Sequence, residues 1–260
     1  MTLSTQGEIS FSEMQAEFGG SNPISFSEYY RGGSKVPTSS TTTGISSSGS
    51  ISVDQFHAKR KALDVTYEMI GAGGGGGSGT GDRPSPSCVT TEGIAGYAGT
   101  ASYIKQGTTT LKTANGGTGG VGRCASWVTN RNYFGTDGEA SYYGAGGAKG
   151  LENQNGSNAP STSYGAGGGG AGGDDYSTFD EPGYPGAGGD AGTRLTGTLV
   201  VDHGTTLSLI TGNKGAGGNS TYDGGAGAGG YVKLTYTAYS GGVTSTNAAN
   251  NTTTTHTVSW

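Results

Sequence analysis

Apolar positions along this chain fall into two regimes. In the first sixty residues, ISFSEM from Ile9, ISFSEY from Ile24 and ISVDQF from Ile51 repeat one pattern. Each places a serine at an N-cap (Ser10, Ser25, Ser52) and Glu or Gln three residues later (Glu13, Glu28, Gln55), the spacing of a capping box. The isoleucine before each cap and Met14, Tyr29 or Phe56 at N4 are spaced to close a hydrophobic staple across the helix entrance. The pattern predicts three short capped helices, the first two stopped by Gly19-Gly20 and Gly32-Gly33. Such short helices are not stable alone, so the module either forms a small cap of its own or docks on something larger. Later in the chain, β-branched and aromatic residues alternate in ALDVTYEM, ASYIKQGTTTLKT, TGTLVVDHGTTLSLITG and YVKLTYT. These predict strands gathered into a small β base.

Between the strand-like stretches the apolar pattern vanishes and glycine takes over, with a period of three. Triplets ending in glycine recur in eight runs, among them MIG-AGG-GGG at 69–77, TEG-IAG-YAG at 91–99, YYG-AGG-AKG at 142–150 and EPG-YPG-AGG-DAG at 181–192. Period three is that of an extended polyproline-II-type helix, which has no internal hydrogen bonds and rises about 3.1 Å per residue. Collagen is excluded because the runs stop after two to four triplets. The expected fold class is therefore mostly irregular/β: a module of short capped helices, then a sandwich of about eight polyglycine-II helices on a small β base. Domain boundaries are expected at 1–63, 64–238 and 239–260, the last an Asn/Thr-rich tail.

Composition fits that picture. Leu, Ile, Val and Phe together number 34 of 260 residues, too few for an ordinary apolar core, and 47 of the 56 glycines lie between positions 64 and 238. The net charge of -5 and the lack of a basic cluster argue against nucleic acid as a partner. The sequence has no run of 18 apolar residues and no signal-peptide pattern, which predicts no membrane insertion. Cys88 and Cys124 match no zinc spacing. If successive rods run antiparallel, both cysteines fall at one end and should be close in space.

The same parity sorts the loops. Segments 78–90, 123–141, 171–180 and 219–221 fall at one end; segments 100–113, 151–162 and 193–212 fall at the other, with the strands. The first end collects Arg83, Trp127, Asn130, Arg131, Tyr133, Phe134, Asp174, Asp175, Tyr176 and Phe179. Aromatic and charged residues on loops held by a rigid scaffold are the composition of a recognition surface, though aromatics can also fold back as caps on the rods. The N-terminal aromatics and Met, namely Phe11, Met14, Phe18, Phe26, Tyr29, Tyr30 and Phe56, are the candidates for attachment to a partner. GAGGGG from Gly71 matches a dinucleotide fingerprint, but the residues after it cannot form the required helix. Asp174, Asp175 and Asp180 could hold a calcium ion, against the simpler reading of solvated carboxylates. His57, His203 and His256 are far apart, and no catalytic or metal constellation can be assembled, so neither an enzyme nor a cofactor is expected.

GEISFSEMQAEFGGSNPISFSEYYRGG together with a glycine-rich body resembles tail-fibre and tail-tip proteins of tailed bacteriophages. The AGG-centred runs and the closing GGAGAGGYVKLTY look like the polyglycine-II sandwich adhesins that cap long tail fibres. The resemblance implies a virion protein, synthesised in the host cytoplasm, whose distal loops bind a host cell-surface protein or glycan. Its other end would join further tail-fibre or baseplate proteins, as a homotrimer or as a monomeric cap on a trimeric fibre. A glycine-rich structural or ice-binding protein is the alternative; it would present small regular side chains in place of aromatic loops. A fibre-associated enzyme is the third reading.

Overall fold

The computed structural model describes residues 2–80, 93–122, 134–173, 184–237 and 243–259. Its regular structure corrects the expected class: among the described residues eight strands form two antiparallel four-stranded sheets, and one α-helix stands where a module of capped helices was expected. The strands are β1 (Ala62–Ile70), β2 (Ser102–Gln106), β3 (Thr109–Ala114), β4 (Arg194–Asp202), β5 (Thr206–Ile210), β6 (Tyr231–Thr237), β7 (Val243–Ala249) and β8 (Thr253–Thr257). One sheet has the order β4-β1-β6-β7 and the other β3-β2-β5-β8.

Alternation decides which face of each strand is buried. In β1, Leu63, Val65, Tyr67 and Met69 point inward while Asp64, Thr66 and Glu68 do not. They meet Ile104 of β2, Leu207 and Leu209 of β5 and Val232, Leu234 and Tyr236 of β6 in one cluster shared by both sheets. Each fully buried Leu, Ile or Val contributes about 1.5–3 kcal/mol, so the scarce aliphatic residues are concentrated where they form a single core. The 239–260 segment, expected as a tail, supplies strands to this core: β7 extends one sheet beside β6 and β8 the other beside β5. Threonine explains this, since its β-branched side chain suits a half-buried pleated surface despite being polar.

In the N-terminal module only the first repeat becomes an α-helix, α1 (Phe11–Phe18). Ser10 and Glu13 close the full capping box: the Ser10 hydroxyl accepts from the Glu13 amide at 3.2 Å, and the Glu13 carboxylate accepts from the Ser10 amide at 2.7 Å. The other two repeats are single 3₁₀ turns, Phe26–Tyr29 and Val53–Phe56, with a third turn at Ser40–Thr42. Their boxes fail because the side chains bond elsewhere. Ser25 accepts from Ser27, and Gln55 is taken by Ser46, accepting from its amide and donating to its hydroxyl at 3.0 Å each. The module has its own core of Leu3, Ile9, Met14, Phe18, Tyr29, Val36, Ile45 and Phe56. It is fastened to β1 by Asp64, which accepts from the Ser40 amide and hydroxyl, and by Glu17, which accepts from the Lys61 amide.

The expected sandwich of about eight polyglycine-II helices is not found: among the described residues the glycine-rich runs carry no regular element. They are extended segments, several of them continuous with a strand, and they are held by backbone hydrogen bonds to one another. Residues 71–80 are buried throughout and lie at the centre. Amides 71, 74, 77 and 80 donate to Thr193, Asp190, Ala187 and Tyr184; amides 72, 75 and 78 donate to Thr100, Tyr97 and Ile94; amides 73, 76 and 79 donate to Ala228, Gly225 and Tyr222. The segment's carbonyls accept from three further stretches: Ala72 and Gly75 from Gly117 and Gly120, Gly73 and Gly76 from Gly215 and Gly218, Gly74 and Gly77 from Gly168 and Ala171. The three acceptor neighbours run antiparallel to it and the three donor neighbours parallel. Every third residue therefore addresses the same neighbour, and a stretch without large apolar side chains satisfies its backbone groups while buried.

The expected loop sorting is also corrected. Residues 134–140, assigned to a distal loop, form an extended segment bonded to 147–150 through Gly135 and Gly138. Residues 155–159, inside an expected base-end loop, form another, bonded to Ala148, Asp223 and Ala226. The intervening turn at 151–154 lies at the end away from the sheets, where Asn153 donates to Gly173. Neither segment has the triplet pattern, because at the edge of the assembly one side faces solvent and tolerates side chains.

Candidate functional site

The end of the body opposite the sheets carries Thr80, Ile94, Asn153, Gly173, Tyr184 and Tyr222. Thr80 bonds to Tyr184, Ser78 to Ile94, Gly79 to Tyr222, Val121 to Ala187, Gly135 to Gly150 and Asn153 to Gly173, which gathers the flanks of segments 81–92, 123–133 and 174–183 at that end. The Tyr222 hydroxyl donates to the Asn153 side chain at 3.0 Å, and the Tyr184 amide donates to the Thr80 hydroxyl at 2.8 Å. The rim is thus fixed by hydrogen bonds between chain positions as far apart as Gly79 and Tyr222.

Of the residues expected to recognise a receptor, Phe134 is described: it is exposed at this end, with the Lys149 ammonium 5.8 Å from its ring centre. Arg83, Trp127, Asn130, Arg131, Tyr133, Asp174, Asp175, Tyr176 and Phe179 lie outside the described residues, as do Asp180, Cys88 and Cys124. Among the described residues no group of His, Cys, Asp or Glu is arranged to hold a metal. The sequence reading missed Ile94, Val121 and Leu151, which are exposed near the same rim. Their signal was weak because each is a single aliphatic residue between glycines and polar residues.

The proposed attachment residues divide by burial. Met14, Phe18, Tyr29 and Phe56 are fully buried in the module's own core, with the Phe56 ring edge-on to Phe18 and Tyr29 at 5.9 and 6.2 Å, so they shape the module and do not face a partner. Tyr30 is half-buried and donates to the Gly49 carbonyl. Phe11 is exposed and packs on half-buried Phe26 at 4.7 Å, which leaves this pair as the module's apolar surface feature.

A second aromatic group sits where the body meets the sheets. Tyr143, Tyr164 and Tyr231 pack against one another at 4.8–5.5 Å, and Arg194 lies 3.7 Å over the exposed Tyr142 ring while pairing with Glu68 at 2.7 Å. Burial, followed by the nearby Glu68 carboxylate, holds the Tyr143 hydroxyl well above the usual phenol range. This cluster acts as a hydrogen-bonded, cation-stacked joint that keeps the 141–144 turn on the sheet. Comparison of the chain with family models, with curated proteins and with solved structures gives no match.

Proposed function

We propose that the chain is a tail-fibre or fibre-tip adhesin of a tailed bacteriophage that binds a host cell-surface protein or glycan at the end opposite its sheets. One observation supports this most. The flanks of the three segments that carry the aromatic and charged residues converge on a single rim, held by main-chain hydrogen bonds. A support of this kind lets side chains vary in the connecting segments without loss of the body, which is what a recognition surface requires. The N-terminal module sits on β1 at the other end and, in this reading, joins the chain to the rest of the fibre with Phe11 and Phe26 outermost. The role is binding and needs no catalytic residue or cofactor.

The test is binding of the purified protein to intact bacteria of candidate hosts. Changing Trp127 and Tyr176 together to Ala is expected to abolish binding, since aromatic anchors at interfaces cost on the order of 2 kcal/mol or more each when truncated. The melting temperature is expected to stay within a degree or two of the parent. Unchanged cell binding by the double variant would place the receptor site elsewhere, and unfolding would make those residues part of the scaffold.

A further inference from the structure

Away from the rim, along the side of the body next to the sheets, lies a groove of about 620 Å³. This is within the range of small-ligand sites. Its floor is the backbone of Gly227, Ala228 and Gly229. That stretch is joined on one side to Ala159, which donates to Ala226, and on the other to Gly215 and Gly212. Asn213 and Lys214 form one wall, Ala159 and Ser161 the other, and the β7–β8 turn at Asn250 and Asn251 closes one end. Both turn residues have left-handed backbones (φ 53° and 61°), a conformation asparagine tolerates better than most residues, and the Asn250 amide donates to Gly230 at 3.0 Å. The groove is therefore lined by main chain that is already hydrogen-bonded.

Its free valences are specific. Among the described residues, the side chains of Ser161, Asn213, Lys214 and Asn251 have no hydrogen-bond or ion-pair partner, and the lining contains no carboxylate. An amide side chain both donates and accepts and a hydroxyl does the same, which matches the alternating demands of sugar hydroxyls; an ammonium takes a carboxylate. The lining has no aromatic ring, so neither a nucleobase nor a sugar face finds a stacking partner, and recognition rests on the polar groups and the one cation. A single cation suits one carboxylate better than a doubly charged phosphate. We propose that this groove binds an acidic oligosaccharide, with the uronate-type carboxylate on Lys214 and ring hydroxyls on Asn213, Asn251 and Ser161. The site is separate from the rim and does not depend on the adhesin reading.

The test uses the full chain and methyl β-glucuronide, with methyl β-glucoside and sodium acetate as comparison ligands, followed by amide chemical shifts. Glucuronide is expected to shift Gly227–Gly229 and Asn250 with a millimolar Kd, the glucoside to bind at least fivefold more weakly, and acetate not to displace the glucuronide. Lys214→Met should weaken glucuronide binding at least tenfold with the melting temperature unchanged, because Lys214 is exposed. In the parent protein, half-molar salt should weaken the glucuronide and leave the glucoside unaffected. The proposal is overturned by the absence of shifts at the groove, by an unchanged Kd in Lys214→Met, or by equal binding of glucoside and glucuronide. Displacement by equimolar acetate would reduce the site to a simple anion contact and overturn the sugar assignment.

Discussion

At the scale of single residues, the body depends on the absence of Cβ atoms. A Cβ built on Gly75 would overlap the Ala216 carbonyl, and one on Gly76 the Gly169 carbonyl; both obstacles are backbone that cannot rotate away. Gly75→Ala is therefore expected to cost about 3 kcal/mol or more, while Ala98→Ser on the exposed face of a neighbouring segment should stay within about 0.5 kcal/mol. The urea midpoints of the two variants check this. Histidine sets a second residue-scale expectation. Burial lowers the pKa of both His203 and His256 from 6.5, with Lys61 adding to the effect at His203, and His256 is paired with the Tyr236 hydroxyl at 2.9 Å. A group whose folded-state pKa is depressed stabilises fully above its unfolded value, and that stability is lost as pH falls through the folded value. The melting temperature should thus fall as pH drops below 6.5, and a His203→Gln/His256→Gln variant should show a shallower fall over the same window.

At the scale of elements, the difference between α1 and its two sequence repeats shows what local pattern can and cannot decide. All three carry the Ser-x-x-Glu/Gln spacing, but only Ser10 and Glu13 are left to each other, whereas Gln55 has a better partner in Ser46, nine residues away in sequence. Ser10→Ala should cost about 1 kcal/mol, read as faster hydrogen exchange across residues 11–18. The same replacement at Ser52, which makes no side-chain cap bond, should have little effect. Strands β1 to β6 were legible because their alternation is written in Val, Leu, Ile and Tyr. Strands β7 and β8 were not, since VTSTNAA and TTTHT carry the same geometry in residues that also make loops. Segments 134–140 and 155–159 were missed for a related reason: at the edge of the body glycine is needed on one side only, so the period disappears while the backbone path remains. The candidate rim was legible as a list of residue types, but the neighbours it gains in Ile94, Val121 and Leu151 come from tertiary arrangement alone.

At the scale of the whole molecule, two kinds of cohesion meet where strands run on into the glycine-rich body: side-chain packing between the sheets and main-chain hydrogen bonding in the body. Strand β1 passes directly into residues 71–80, so the same stretch of chain enters the apolar core and then the centre of the glycine-rich body. That central stretch bonds to partners as distant as Ala228, and it has no hydrogen bonds of its own to hold it beforehand. While the chain is being synthesised, the amides of Gly73, Gly76 and Gly79 wait for residues that leave the ribosome about 150 positions later, so the centre is the first part of the body to be made and among the last to be completed. A nascent chain halted near residue 215 is expected to be digested by protease across 71–80, whereas the finished protein resists. In the finished protein, the amides of 71–80 should exchange with solvent only through complete unfolding, all at one rate, because releasing any one of them means withdrawing a strand of chain from among six neighbours.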